Sequence, residues 1–210
     1  MKTLSTALCL LLLVISIPSN ARDFNSSEEK IFGAYLAYYG RPPDPGGLAY
    51  WSGRLTDDGG DINTIIAEFG NSQEYQSRFG ELTSTQLVTN LYGQLFGRLP
   101  DQGGLDYYVE QLDTDARSLQ EISLIILNGV PSTGTDRAVI DNRLEFSMYY
   151  VSDAEEGGAA NPNGDELAEF IDMIGATSES LQTVYASYEG DSSPLVARWD
   201  EFKWGELPWE

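Results

Sequence analysis

Three carboxylates lie close together in the segment Asp57-Asp58-Gly59-Gly60-Asp61, and carboxylate oxygens are ligands that calcium prefers. The segment lacks the ligand order of an EF-hand loop, which has a glutamate at its twelfth position. Its alternative role is a solvated loop that precedes a helix. Asp57, Asp58 and Asp61 are therefore the metal candidates, as a weak Ca²⁺ site. The acidic Gly/Asn-rich segment 153–165 is an alternative weak Ca²⁺ site, and we otherwise expect no cofactor.

Catalytic residues are harder to find, because the sequence contains no histidine and its one cysteine, Cys9, lies in an apolar N-terminal run. This composition excludes Ser-His-Asp and Cys-His catalysis and His-ligated zinc. A pair of carboxylates can hydrolyse a glycosidic bond without histidine, but among 33 acidic residues some suitable pair always exists. We expect no catalytic residues and no enzymatic activity, with a carboxylate-based carbohydrate-active enzyme as one alternative.

The charge balance limits the partners. Against 33 Asp and Glu there are 12 Lys and Arg, so the net charge is −21. Such a chain repels the phosphate backbone that nucleic-acid-binding proteins neutralise with Lys and Arg. The sequence therefore predicts no nucleic-acid partner, and it leaves a protein or a surface glycan as the candidate partner.

An internal repeat organises the middle of the chain. A shift of 57 positions aligns residues 40–51 with residues 97–108. Both segments follow the pattern Gly-Arg-x-Pro-Asp-x-Gly-Gly-Leu-x-Tyr-Trp/Tyr, which we call the repeat signature. The signature residues are Gly40, Arg41, Asp44, Gly47, Tyr50 and Trp51 in the first copy, and Gly97, Arg98, Asp101, Gly104, Tyr107 and Tyr108 in the second. Self-similarity of this kind indicates two copies of one supersecondary unit.

In each copy, the spacing of the apolar residues predicts three short helices, with glycine, aspartate and proline between them. The first helix of each copy is expected to begin at a capping box, formed by Ser26 with Glu29 and by Thr83 with Gln86. The signature glycine is expected to end this helix in the left-handed conformation. The arginine that follows is expected to donate to the last helical carbonyls.

The second helix of each copy is predicted to begin at Asp44 or Asp101, whose carboxylates are suited to cap its first amides. The third is predicted to begin after Asp61 in the first copy and after Ser118 in the second, where Glu121 completes a capping box. No convincing strand pattern is present. The predicted fold is therefore all-α, with two tandem three-helix repeats packed together.

The signature arginines allow two interpretations. Arg41 with Asp44, and Arg98 with Asp101, could form recognition pairs on the surface of each repeat. They could instead tie two helix ends together, and we favour this structural role because helix capping accounts for every position of the signature.

The signature aromatics also allow two interpretations. Tyr50, Trp51, Tyr107 and Tyr108 could form a platform on which sugars stack. Aromatic residues at helical spacing more often belong to the core, and we favour that interpretation.

The doubled signature resembles a bacterial family of domains of unknown function, number 4214. The resemblance covers roughly residues 26–150. It implies a helical repeat of the kind found in secreted and cell-surface proteins, often beside calcium-binding repeats and likened to phycobilisome linker domains. It implies no catalytic residues. Because this chain has no Gly-Gly-x-Gly-x-Asp repeats, the resemblance does not extend to calcium binding.

The N-terminal segment predicts export. Residues 1–21 contain Lys2, an apolar run and small residues at Ser19 and Ala21, which is typical of a cleaved signal peptide. The run is shorter than the roughly 20 residues that span a bilayer, so an uncleaved anchor is the less favoured alternative. We expect cleavage after Ala21, an extracellular or periplasmic location and no membrane span thereafter.

The C-terminal segment contains three tryptophans, Trp199, Trp204 and Trp209, five residues apart among acidic residues. They either dock on the body of the protein or form a possible partner-binding tail.

These observations predict one organisation and three candidate functions. The predicted segments are a signal peptide (1–21), a two-repeat helical domain (22–150, with repeats at about 26–79 and 83–150), an acidic Gly/Asn-rich linker (151–164), and C-terminal helices with the Trp-rich tail (165–210). The favoured function is an exported non-enzymatic interaction or structural module. The alternatives are a calcium-dependent cell-surface or matrix protein and the carbohydrate-active enzyme. The oligomeric state stays open.

Overall fold

The computed structural model describes residues 24–158 and 162–190. These residues form ten α-helices and no strand, which confirms the predicted all-α class. In chain order the helices are α1 (Ser26–Tyr39), α2 (Pro45–Asp57), α3 (Asn63–Phe69), α4 (Gln73–Phe79), α5 (Ser84–Phe96), α6 (Gln102–Asp113), α7 (Leu119–Asn128), α8 (Thr135–Glu156), α9 (Gly164–Met173) and α10 (Ser178–Tyr188). The predicted signal peptide and the three C-terminal tryptophans lie outside the described residues.

The first repeat contains a fourth helix that the sequence did not predict. α4 has seven residues and is capped by Ser72, whose hydroxyl accepts a hydrogen bond from the amide of Tyr75. So short a helix has too few positions to show a clear apolar period, which is why the three-helix prediction missed it. In the second copy, the fourth helix is the long helix α8, which follows α7 as α4 follows α3.

The predicted helix ends are mostly confirmed. The capping boxes at Thr83 and Ser118 form as expected. The first capping box was predicted one residue too late, at Ser26 and Glu29. The N-cap is Asn25, and its backbone amide donates to the carboxylate of Glu28. Asparagine caps a helix as well as serine does, and this register also places a glutamate three positions later.

The signature glycines and aspartates cap helices as predicted. Gly40 and Gly97 end α1 and α5 with φ of 64° and 63°, a left-handed conformation that glycine adopts without strain. The carboxylates of Asp44 and Asp101 each accept a hydrogen bond of 2.9 Å from a signature glycine amide at the start of α2 and α6.

Helix α1 forms the centre of the core. All residues from 31 to 39 are buried, and α1 packs against α2, α5, α7 and α8. The side chains of Ile31, Phe32 and Leu36 are fully buried. A helix that is apolar on every side must be surrounded on every side, so α1 joins both repeats into one hydrophobic core.

The C-terminal helices belong to the same core. α10 packs against α8 and α9, and α9 contacts α5. The ring of Phe146 in α8 lies 5.9 Å from Phe170 and 5.8 Å from Tyr188. α8 also continues to Glu156, so residues 151–156 are helical although a linker was expected there. Within the described part of the chain, no helix combines the length and apolar character that crossing a bilayer requires.

Candidate functional site

The first signature arginine joins two helix ends. Arg41 donates two hydrogen bonds to Glu74, with N–O distances of 2.8 and 2.6 Å. Its guanidinium lies over the rings of Tyr35 and Tyr39, 5.4 and 5.6 Å from their centroids. Only 11% of its side chain is exposed. A bidentate ion pair above two aromatic rings is a strong, geometrically specific contact.

The second signature arginine repeats this arrangement. Arg98 donates two hydrogen bonds to Asp136, at 2.9 and 2.6 Å. Its guanidinium lies 5.4 Å from the centroid of Tyr92 and 5.2 Å from that of Phe96. Here the arginine side chain is 44% exposed, so solvent screens this pair more than the first.

Both acidic partners occupy the second position of a helix, Glu74 in α4 and Asp136 in α8. A carboxylate there is also favoured by the helix dipole. Burial opposes ionisation of Glu74, but the hydrogen bonds and charge of Arg41 keep its pKa below the usual value. The hydrogen bonds and charge of Arg98 likewise lower the pKa of Asp136.

The signature arginines thus link helix ends, which is the favoured interpretation, but they do not hydrogen-bond to Asp44 and Asp101. Both aspartates cap helices, and the arginines bind acids further along the chain. The expected donation to the last carbonyls of the preceding helix is wrong, because the arginines donate to the carbonyls of Pro42 and Leu99 instead. The acids escaped detection because they are 62 positions apart (136 − 74), not 57, so the shift that reveals the signature does not align them.

The signature glycines next to the helix caps leave room for a tyrosine hydroxyl. A Cβ atom on Gly47 would lie 3.0 Å from the hydroxyl of Tyr35, and one on Gly104 would lie 2.9 Å from that of Tyr92. These distances are too short for an alanine without movement of the neighbour. The glycines therefore allow the second helix of each copy to approach the first.

The signature aromatics divide between core and surface. Trp51 and Tyr108 are half-buried and pack against the core, as predicted. Tyr50 and Tyr107 are 57% and 52% exposed, so the core prediction is wrong for these two. Each exposed ring contacts its neighbour edge to face, at centroid distances of 5.0 and 5.1 Å.

The two copies differ around the exposed tyrosines. Arg54 lies 5.9 Å from the ring centroid of Tyr50 and forms two hydrogen bonds of 2.6 Å to Glu68. At the corresponding positions of the second copy the residues are Gln111 and Ile125. The cation that covers Tyr50 therefore has no counterpart at the equivalent position near Tyr107.

Helix α6 is much less covered than its counterpart α2. All residues of α6 are described and none is buried, whereas α2 buries Leu48 and Leu55 at 1% and 0% exposure. The reason is that α2 packs against α1, α3 and α8, while the main neighbour of α6 is α5. We call the partly exposed apolar residues of this helix the α6 surface. They are Tyr107, which is more than half exposed, and Leu105, Tyr108, Val109 and Leu112, which are partly buried and pack against the core.

The proposed calcium residues do not converge. Among the described residues, no group of three acidic or other ligating side chains could hold a metal ion. In this loop the Lys30 ammonium donates to the carbonyl of Gly60 at 2.5 Å. The Asp61 carboxylate accepts hydrogen bonds from the amide and side chain of Asn63, which lower its pKa. The Lys30 ammonium thus already binds a carbonyl oxygen of the loop in which a calcium site was predicted.

The sequence did not reveal the role of Arg143. This side chain is 1% exposed and donates to the carbonyls of Gly93, Gln94 and Ile174. Burial lowers its pKa to about 10. Burial also raises the pKa of nearby Asp172 to about 6, although the positive charge of Arg143 opposes that rise. The contacts of these two residues could not be predicted from the sequence, because their partners are backbone atoms or lie far away in the chain.

Comparisons with known proteins identify one family. Residues 66–128 match the model of the family described as Domain of unknown function (DUF4214). The match covers α4 to α7 and the second copy of the signature. Neither curated proteins nor solved structures give a match. The predicted resemblance to the DUF4214 family is thus confirmed over residues 66–128, which contain the second copy of the signature but not the first.

Proposed function

We propose that this chain is an exported, non-enzymatic interaction module whose partner binds the α6 surface. The observation that carries this proposal is the contrast between two equivalent helices: α2 buries Leu48 and Leu55, and α6 buries none of its residues. This face is less covered in the second copy than in the first, and the exposed ring of Tyr107 adds apolar area that is suited to contact a second molecule.

The chemistry of the α6 surface defines the partner. Its apolar residues alternate with Asp106, Glu110 and Asp113, and α6 contains no Lys or Arg. A polypeptide with apolar side chains flanked by Lys or Arg complements this pattern, because opposite charges at the rim of an interface favour encounter. The net charge of −21 disfavours a second copy of this chain as the partner.

The roles of the signature residues support a non-enzymatic module. The carboxylates of Asp44 and Asp101 cap helices, and those of Glu74 and Asp136 bind arginines. These four acids are thus used for folding. Export depends on residues 1–21 and is tested by whether the secreted protein begins at Arg22.

The experiment compares capture of envelope proteins by three forms of the mature chain: wild type, Tyr107→Ser and Tyr50→Ser. Both tyrosines are more than half exposed, so neither variant is expected to unfold the protein. We expect a protein with a basic, apolar binding segment to be retained by wild type and Tyr50→Ser, and lost with Tyr107→Ser. Retention by all three forms overturns the α6 surface as the site. A captured species that survives protease digestion indicates a glycan instead.

A further inference from the structure

The loop at the start of the repeat signature is covered in the first copy and open in the second. We call residues 40–44 and 97–101 the signature loops. In the first loop the glycine and both prolines are buried. In the second loop Gly97 and Leu99 are exposed, and the exposed fraction of Leu99 is 58%. One sequence motif therefore has a covered and an open form within the same chain.

The cover of the first loop comes from the C-terminal helices. α8 packs against α1 and α2, which flank this loop. A Cβ atom on Gly164, the first residue of α9, would lie 3.0 Å from Nε of Arg41. A side chain at this position would press on the guanidinium, so α9 reaches Arg41 because it begins at a glycine. The next residue, Asp165, lies 3.9 Å from Nε of Arg78.

The surface under this cover has the same construction in both copies. It consists of an arginine, two aromatic rings and an acid, namely Arg41, Tyr35, Tyr39 and Glu74 in the first copy and Arg98, Tyr92, Phe96 and Asp136 in the second. Each arginine donates through Nε and Nη2 to the acid and through Nη1 to the carbonyl of the following residue. Arg41 is 11% exposed and Arg98 is 44% exposed. The second copy thus has the same surface without its cover.

We propose that the second signature loop docks a helix of a partner protein, and that this helix begins at a glycine. The glycine lies against the guanidinium of Arg98, as Gly164 lies against Arg41, and an apolar side chain of the partner covers Leu99. The first copy supports this inference because it shows how the chain covers the same four side chains. No residue of the second signature loop belongs to the α6 surface, so the inference goes beyond the proposed function.

The charges near Arg98 limit the partner further. Asp136 and Asp101 both act on Arg98, so the cation has no charge left for an acidic partner. The offset of 62 positions that aligns Glu74 with Asp136 also aligns Arg78 with Ile140, which is fully buried. The second copy therefore lacks the cation that faces Asp165 in the first. The partner helix is uncharged or basic where it meets the loop, which also agrees with the net charge of −21.

Two occupants from this chain are less suited to the second loop. In a second copy of the chain, α9 already lies against Arg41 of its own molecule. The C-terminal segment 191–210 contains one glycine, Gly205, and Pro208 follows three positions later. Proline lacks the amide that a helix beginning at Gly205 would need at its fourth position. A separate protein is thus the occupant that the loop fits best.

The test titrates a defined peptide into the isotope-labelled mature chain and follows its backbone amides by NMR at 0.15 M salt. The peptide has the sequence of residues 162–175, with its four acidic residues replaced by the corresponding amides and both ends blocked, so that it is neutral. We expect the amide signals of residues 97–99 to shift in a saturable way. The matched control peptide carries Gly164→Val, and we expect its Kd to be at least fivefold higher, because the added side chain meets the guanidinium.

Variants of the protein locate the site. We expect Arg98→Met and Leu99→Ser each to raise the Kd of the glycine peptide at least fivefold. Arg117→Met removes an exposed cation elsewhere and should leave the Kd unchanged. Thermal melting verifies the fold of each variant, and Leu99→Ser suffices if Arg98→Met is unstable.

Three outcomes overturn the proposal. The first is the absence of shifts at residues 97–99 at millimolar peptide, and the second is equal binding of the valine peptide. The third is a shift of the same amides without peptide, which would identify a second copy as the occupant if it follows dilution, or the C-terminal segment if it follows Trp199→Ser. Because Tyr107→Ser leaves Arg98 and Leu99 in place, its capture result and this titration fail independently.

Discussion

The guanidinium of Arg143 lies directly behind Gly97, so that a Cβ atom on residue 97 would stand 3.2 Å from Nη2. The same side chain donates to Gly93 and Gln94 in the last turn of α5. The final carbonyls of a helix have no partner within the helix, and here an arginine from α8 supplies one. Gly97 therefore ends α5, and its lack of a side chain leaves room for the Arg143 guanidinium that donates to carbonyls of the last turn.

The first prediction is that Arg143→Met strongly destabilises the fold. The substitution removes the donor to Gly93, Gln94 and Ile174. The carbonyl of Gly93 keeps the amide of Gly97 as a donor, whereas those of Gln94 and Ile174 lose the arginine, and each buried acceptor without a partner costs about 1–3 kcal/mol. We expect the free energy of unfolding to fall by about 3 kcal/mol or more in urea denaturation. Arg117→Met, at an exposed position, is the control and should change it by less than about 0.5 kcal/mol. Equal losses of unfolding free energy in the two variants would show that the buried hydrogen bonds of Arg143 do not stabilise the fold.

The second prediction concerns the two signature arginines, which occupy the same motif position in different surroundings. Arg41 is 11% exposed and Arg98 is 44% exposed. We expect Arg41→Met to lower the free energy of unfolding by about 2–4 kcal/mol, because it leaves a partly buried Glu74 without its main partner. We expect Arg98→Met to cost about 1 kcal/mol or less, as for other exposed ion pairs.

Chemical denaturation of both variants checks this difference, and a second variant tests its cause. Adding Glu74→Met to Arg41→Met removes the unpaired carboxylate, so part of the lost stability should return. If the two single variants lose equal stability, burial is not what distinguishes the two copies.

The helix ends were the part of the fold that the sequence predicted best. Gly97 and Asp101 act through their own backbone and nearest amides, so their effect is local and visible in the sequence. The partner of Arg98 was not predictable in this way. Asp136 lies 38 positions away, and an ion pair of that kind depends on how the chain packs. Likewise, Tyr50 and Tyr107 occupy the same position of the repeat signature, but their surroundings differ: Arg54 lies beside Tyr50, and the equivalent residue of the second copy is Gln111.

The third prediction follows from Asp172, whose pKa burial raises to about 6. The charged groups that act on it are Arg143, Arg78 and Glu169. An aspartate in the unfolded chain has a pKa of about 3.9, so between these values the native state binds more protons than the unfolded state. Stability from this group is therefore complete below about pH 4 and lost as the pH rises through 6.

The substitution Asp172→Asn removes that loss, because asparagine resembles the protonated side chain. We expect the variant to be more stable than wild type by on the order of 2 kcal/mol at pH 7.5. The difference should shrink to near zero at pH 4. Urea denaturation at several pH values measures it, with Glu156→Gln, an exposed site, as the control. A stability difference that does not change with pH would contradict the assignment.

The last prediction is that calcium stabilises this protein only weakly. Lys30 already donates to the carbonyl of Gly60, and no three ligating side chains converge among the residues described. A weak site in millimolar calcium contributes about 1 kcal/mol or less, since the gain grows as RT ln(1 + [L]/Kd). Melting temperatures in calcium and magnesium at equal ionic strength should therefore agree closely. A large shift with calcium alone, abolished by Asp61→Ala, would establish a selective site and favour the calcium-dependent surface protein over the plain interaction module.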